Sequence, residues 1–524
     1  MHPPPVQLHH LVADMARRQP HAPAVTAGGT SLRYAELWDE VVTVARGLRE
    51  AGVSRGDRVA VYLDKRLETV VGSFAVPAAA GVLVPINPLL RPAQVRHILA
   101  DCGVRVLITS AQRLGQLGEV MTMLAAPPEV VLVNDPAAPA PAAGPSRPWP
   151  KVAPQGNSGF EDPAVVEQDM AAIFYTSGSS GQPKGVVVSH RNLLAGAQSV
   201  NAYLGNGPQD TLLAVLPLSF DAGFSQLTSA FAVGAQVVLL DYHFPADVVS
   251  LCVRHRVTGI TGVPPLWVQL ARHRWPAGAG QSLRYFATTG GRLSQSTLDR
   301  LRTLFPDARP FLMYGLTEAF RSTYLEPSEV GRRPDSIGKA VPNAEVMVVR
   351  PDGSPCRPGE EGELVHRGAT VALGYWNDPV GTARRFRPAP GSPGGLSAAP
   401  AVWSGDRVVS DDDGFLYFVG RADDMIKVSG YRISPTEVED AVLATGLVGE
   451  AVALGVDTPD GDQSIALVVT TATGSAVDRA ALLAMLRRRM PRYMLPRQII
   501  TRAEIPRSHN GKYDRRTLRK ELGG

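Results

Sequence analysis

Short apolar runs alternate with amphipathic stretches along the first part of the chain. Residues 59–63 and 81–86 are rich in Val, Leu and Ile, the pattern of buried strands, while residues 34–51 and 92–100 repeat apolar positions at helical spacing. Strands alternating with helices predict parallel βαβ units, and the runs at 106–109 and 130–133 continue the series. Residues 171–175 and 185–188 predict two more strands, joined like a hairpin by a turn rich in glycine and hydroxyl residues. Ser189 then caps a helix running through residue 200. Further short strands are predicted at 212–216, 236–240, 259–263 and 284–287.

The pattern changes from residue 420. A charged turn leads to a helix that starts at Ser434 and Pro435 and ends near 444, then to a strand pair around 450–454 and 465–469, and to a helix over 478–490. That suffices for a small α+β unit. Two stretches, 135–158 and 388–400, consist largely of Ala, Pro and Gly and read as surface loops, because they cannot bury enough apolar area to offset chain entropy. A chain of 524 residues exceeds one core. The expected fold is α/β, with a large multi-sheet N-terminal domain built on parallel βαβ units and a small mobile α+β C-terminal domain.

Composition removes several function classes. With 53 basic and 49 acidic residues spread along the chain, the net charge of +4 gives no case for a nucleic-acid or membrane surface. Cys102, Cys252 and Cys356 lie far apart without metal-ligand spacing, which argues for a reducing compartment and against a disulfide framework or zinc site. The N-terminus lacks the charged-then-apolar pattern of a signal peptide, and the apolar windows are too short to span a bilayer, so a cytoplasmic protein is expected.

The chemistry concentrates at residues 175–185, Tyr-Thr-Ser-Gly-Ser-Ser-Gly-Gln-Pro-Lys-Gly. Hydroxyls of Thr176, Ser177, Ser179 and Ser180, backbone N–H groups exposed at Gly178 and Gly181, and the charge of Lys184 together suit a polyphosphate. The common NTPase cradle follows its lysine with Ser or Thr as magnesium ligand, whereas Gly185 follows Lys184 here. Taken alone, the string reads either as a phosphate cradle or as a flexible surface turn.

This string resembles the phosphate-binding signature of the adenylate-forming superfamily, which includes acyl-CoA synthetases, firefly luciferase and the adenylation domains of nonribosomal peptide synthetases. Further signatures follow in the family's order: Met-Tyr-Gly-Leu-Thr-Glu at 313–318, the Gly-Glu-Leu segment from 362 with Gly374 and Tyr375, Trp-Ser-Gly-Asp at 403–406, residues 420–432, and Asn-Gly-Lys at 510–512. The resemblance spans nearly the whole chain. It implies domains of 1–422 and 423–524, with Asp423 as hinge.

The resemblance also implies roles. Lys512 would bridge the acid carboxylate and the α-phosphate of ATP, Thr317 would contact that phosphate, and Glu318 would hold magnesium. Tyr314 and Gly315 would lie at the adenine face, Gly290 and Gly291 at its edge, Asp406 on the ribose hydroxyls with Arg421 assisting. Lys427 and Gly430 would face the site during transfer, Gly430 leaving room for a pantetheine arm.

The acid is read from Phe220, Asp221 and Met313. In amino-acid-activating relatives an Asp after Phe pairs with the substrate ammonium, and a buried carboxylate wants such a partner. Asp221 could equally cap the helix beginning near Gly223, and Arg321 could bind a second carboxylate or satisfy a neighbour. The expectation is a free-standing AMP-forming ligase using ATP and magnesium, activating an amino acid and passing it to an external acyl carrier protein. Two alternatives stand beside it: a CoA ligase for a non-amino acid, and a nucleotide-binding pseudoenzyme, which the presence of Lys512, Glu318 and Asp406 disfavours.

Overall fold

The computed structural model describes residues 4–133, 146–151, 159–177, 183–391, 399–421, 425–471, 477–506 and 513–522, with backbone only at Ser177, Arg421 and Arg516. Gly178, Ser179, Ser180, Gly181, Asp423 and Lys512 lie outside the described residues.

Two large sheets form the N-terminal domain. One runs, in spatial order, through Gly374–Tyr375, Pro183–Ser189, Met170–Ser177, Val82–Pro85, Arg58–Tyr62, Val106–Ser110, Glu129–Val133 and Ser146–Pro148. Pairing is parallel from Met170–Ser177 outward, as the βαβ alternation predicts, and antiparallel in the hairpin of Met170–Ser177 with Pro183–Ser189. The other sheet has a parallel centre of Gln236–Leu239, Thr211–Ala214, Gly259–Gly262, Tyr285–Thr288 and Arg309–Tyr314, then continues into antiparallel strands reaching Leu416–Arg421.

The largest core cluster joins both sheets through helices. Phe74, Phe174, Phe224 and Phe231 are almost fully buried, and Phe74 stacks on Phe224 at 6.1 Å. The helix His190–Leu204 starts as expected, with the Ser189 hydroxyl accepting from the Asn192 N–H, and stops at Gly205, whose φ of 66° is left-handed.

The C-terminal domain is a three-stranded sheet of Val448–Asp457, Gln463–Thr471 and Gln498–Arg502, flanked by the helices Pro435–Leu443, Arg479–Arg489 and Arg515–Glu521, with a two-stranded hairpin of Ile426–Val428 and Tyr431–Ile433. Its faces differ. Ala451 and Ala453 pack with Ile426 and Ile433 of the hairpin, whereas the alternate residues Val452 and Leu454 pack with Ile505 and Leu518. The hairpin and the chain flanking residues 507–512 therefore lie on opposite faces of this sheet.

Two sequence readings need correction. Within the stretch read as a loop, Ser146–Pro148 pairs parallel with Val130–Leu132. The strand Gln498–Arg502, missed because it lies among Arg and Pro, pairs parallel with Gln463–Thr471 and completes the C-terminal sheet. At the N-terminus, His9 and His10 both reach Asp162, at 3.0 and 3.2 Å. His10 Nδ1 accepts from the N–H groups of Val6 and Gln7, so its Nε2 carries the proton and serves as a donor rather than a metal ligand. Among the described residues, no helix is long and apolar enough to cross a membrane.

Candidate active site

A cavity of about 170 Å³ opens where the two sheets and the C-terminal hairpin meet. Thr176, Phe220, Asp221, Gly290, Gly315, Thr317, Asp406, Lys427 and Gly430, distant in sequence, all line it. The backbone positions them. Strands end at Ser177, Thr288 and Tyr314, and Thr176 at the first end and the loops after the other two bring their polar groups to one place, the usual location of ligands in open α/β sheets.

Asp406 is 2% exposed, and the Tyr314 hydroxyl donates to its carboxylate. Tyr314 thus stands behind Asp406 rather than lining the cavity. Glu318 is 4% exposed and accepts from the Tyr375 hydroxyl at 2.6 Å, with Arg385 at 3.8 Å and Arg432 at 3.9 Å. Burial pushes the Glu318 carboxyl up, but the two guanidinium groups and the Tyr375 hydroxyl outweigh it and hold the carboxyl below its usual range. An ionised buried oxygen donor has the chemistry a magnesium ion requires, so Glu318 fits that ligand.

Asp221 already has partners within the chain. It opens the helix Asp221–Val233, which Phe220 caps, so Asp221 is not the cap. Its carboxylate accepts from the Thr317 hydroxyl at 2.9 Å and from Arg321 Nη1 at 3.1 Å. The cation that a buried carboxylate needs comes from the chain itself, because Arg321 is only 3% exposed and ion-paired to it. Thr317, expected on the α-phosphate, is engaged by Asp221 in this arrangement. Met313 lies deeper, lining an inner cavity of about 10 Å³ together with Ala222, Ser225 and Arg321.

Lys184 points elsewhere, forming an ion pair with Asp378 at 3.0 Å and lying 5.2 Å from the Tyr375 ring centre. Gly291 abuts Pro264 beside the cavity. The side chains of Ser177 and Arg421 lie outside the described set.

Gly430 has a φ of 82°, and a Cβ there would stand 2.6 Å from Val263 Cγ1, so the hairpin docks closely only because the residue is glycine. Next to it, Tyr431 meets Phe220 edge-on at 5.3 Å and stacks on Tyr493 at 3.7 Å. Past this hairpin a second cavity of about 480 Å³ shares Asn87, Pro217, Ser219, Val263, Ser429 and Tyr431 with the first. Lys65 lies along it, donating to the carbonyls of Ala214, Val215 and Leu240.

Sequence reading assigned several residues here no role. Arg385, Gln94, Glu437 and Tyr493 carry no local signature, Tyr431 and Arg432 lie at the end of the 420–432 signature, and only the meeting of the domains gives them a place. Gln94 Nε2 donates to Glu437 at 2.8 Å across that seam.

The model of the AMP-binding enzyme family matches residues 12–376, and that of its C-terminal domain matches residues 437–512. The chain belongs to the AMP-binding enzyme family. This AMP-binding enzyme is 33% identical to a feruloyl-CoA synthase of Amycolatopsis sp over 521 residues, covering 97% of each chain. It is 30% identical to syringomycin synthase SyrB1 of Pseudomonas syringae over 534 residues, 99% of this chain and 82% of that one. In structure it resembles the amide bond synthetase McbA of Marinactinospora thermotolerans, with a TM-score of 0.82 and 26% identity over 98% of this chain and 99% of that one. The AMP-binding enzyme is accordingly an ATP-dependent, AMP-forming ligase of the adenylate-forming superfamily.

Proposed function

We propose that this enzyme adenylates a carboxylic acid lacking an α-ammonium group and passes the acyl group to the thiol of a pantetheine arm. One observation carries the reading: the cavity holding Asp406 and Thr317 adjoins the larger cavity beside the Gly430 hairpin, the two sharing Ser429 and Tyr431, and a thin arm laid along the larger one would approach the reacting carbon. The pairing of Asp221 with Arg321 supports an acid without an ammonium, since a second cation there would have no counter-charge. Similarity to a protein named feruloyl-CoA synthase supports a thiol acceptor.

In the first step a carboxylate oxygen attacks the α-phosphorus of ATP and pyrophosphate leaves. In the second the thiol sulfur attacks the acyl carbon, the bond to the AMP oxygen breaks, and the thiol proton passes to solvent. Asp406 accepts the ribose hydroxyls, and Gly290 and Gly291 border the adenine. Thr176 and the turn over 178–181 bind the phosphates. Magnesium held by Glu318 supplies charge neutralisation at the phosphates. Lys512 supplies an ammonium between the two anions during adenylation.

The small domain turns about Asp423 between the steps. The opposite-face packing of the Gly430 hairpin and of the segments flanking Lys512 supports this, because one sheet cannot present both faces to the cavity at once.

ATP–pyrophosphate exchange over a panel of carboxylic and amino acids tests the proposal, with mass detection of product on CoA and on a phosphopantetheinylated carrier protein. Exchange with carboxylic acids and a thioester product is expected. Exchange confined to amino acids, or no exchange at all, refutes it. Lys512→Ala should lower exchange by about 10²–10³-fold.

A further inference from the structure

Resting on the reading of an acid-adenylating enzyme, we infer that Arg321 selects acids whose tail carries an uncharged hydrogen-bond acceptor, a hydroxyl or carbonyl oxygen. Arg321 lines both the nucleotide-side cavity and the inner cavity behind it, and so does Ala222; the two residues stand between the cavities. An acid whose carboxylate faces Thr317 extends its tail toward Arg321.

The guanidinium is only partly used by the protein. Nη1 donates to Asp221 and to the Phe320 carbonyl, but the buried Nε finds no acceptor among the described residues. A buried N–H left without a partner is costly, and a ligand oxygen would satisfy it. Were Arg321 only a counter-ion for Asp221, nothing would require a polar pocket beyond it. Yet Ser225, Gln226, Ser229 and Thr261 line the inner cavity beside Tyr203 and Tyr285.

Charge decides which oxygen. Asp221 already neutralises Arg321, so a carboxylate on the tail would set two anions against one buried cation, and an ammonium would leave a net positive charge. A hydroxyl or carbonyl accepts from Nε at no change in charge. Size points the same way, because the inner cavity of about 10 Å³ has room for one water-sized group.

The test compares kcat/KM in pyrophosphate exchange for isosteric pairs: 4-hydroxybenzoate against 4-methylbenzoate, and 4-hydroxybutanoate against pentanoate, with alanine and succinate as charged controls. The oxygenated member of at least one pair should be preferred by at least about 10-fold, since a polar site rejects the analogue that leaves it unpaired. In Asp221→Asn/Arg321→Met, which removes both charges together, that ratio should fall to about 1. A wild-type ratio near 1 in both pairs, preference for alanine or succinate, or a ratio that survives in the double variant overturns the inference. If the double variant does not fold, the wild-type ratios decide. Exchange with no acid at all would instead count against adenylation itself.

Discussion

Glu437 should make the seating of the small domain depend on pH, and Glu437→Gln should abolish that dependence. Glu437 lies on the helix Pro435–Leu443, with Oε1 accepting from Gln94 of the large domain and Oε2 buried without a partner among the described residues. Burial pushes its carboxyl from the ordinary 4.5 up to about 7, with Asp440 adding to the rise and the Gln94 hydrogen bond opposing it. Tyr493 and Asp440 are the titratable groups that act on or are acted on by it, and neither is a cation. Below pH 4.5 the carboxyl is protonated whether the domain is seated or swung away, so seating is unaffected. Between 4.5 and 7 the solvated carboxyl ionises while the seated one holds its proton, and seating weakens as pH rises. Above 7 the loss is complete. At about 1.4 kcal/mol for each pH unit it amounts to about 3 kcal/mol, or about 10²-fold in the domain equilibrium. Gln retains the acceptor oxygen and never ionises. Dye pairs on the two domains, read by energy transfer from pH 5 to 8.5, should show the wild type leaving the seated arrangement and Glu437→Gln staying in it. An equal pH response in both proteins would refute the reasoning.

Gly430→Ala brings a Cβ against Val263 in a left-handed backbone position, so thioester formation from preformed adenylate should slow by at least about 10-fold while pyrophosphate exchange persists; rapid-quench kinetics separate the two. Tyr314→Phe removes the hydroxyl that donates to buried Asp406, a charge-assisted bond of about 1.5–3 kcal/mol, and should raise the KM for ATP by about 10-fold and lower the unfolding temperature. Lys65→Met strips the donor from three strand-end carbonyls and should destabilise the large domain by about 3 kcal/mol, seen as a lowered unfolding midpoint in calorimetry.

Much of the fold is legible because it rests on local signals. The helix after the hairpin of Met170–Ser177 and Pro183–Ser189 is announced by Ser189, and the βαβ order by apolar runs such as 59–63, which need no distant partner to be recognised. The strand Gln498–Arg502 carries no such signal, since its register is fixed only by Gln463–Thr471 beside it. Within the site, Asp406 and Thr317 stand out through motif composition. The partner of Asp221 does not, because an Arg one hundred residues later declares itself only once the helix Asp221–Val233 and the loop after Tyr314 are side by side. A carboxylate with an unseen partner invites a ligand to be imagined in its place, and here the chain fills that position.

Glu318 is gripped by two arginines of different origin, Arg385 from the large domain and Arg432 from the small one. Under the proposed rotation of the small domain the second of these travels. When the small domain swings away it carries a positive charge off the carboxylate just as that carboxylate would be asked to hold a divalent ion and its triphosphate. When the domain returns, the charge comes back to the vacated position. Under that rotation the enzyme keeps this buried acid neutralised by exchanging one cation for another, and a turnover in which pyrophosphate and metal lingered would leave Arg432 nowhere to land.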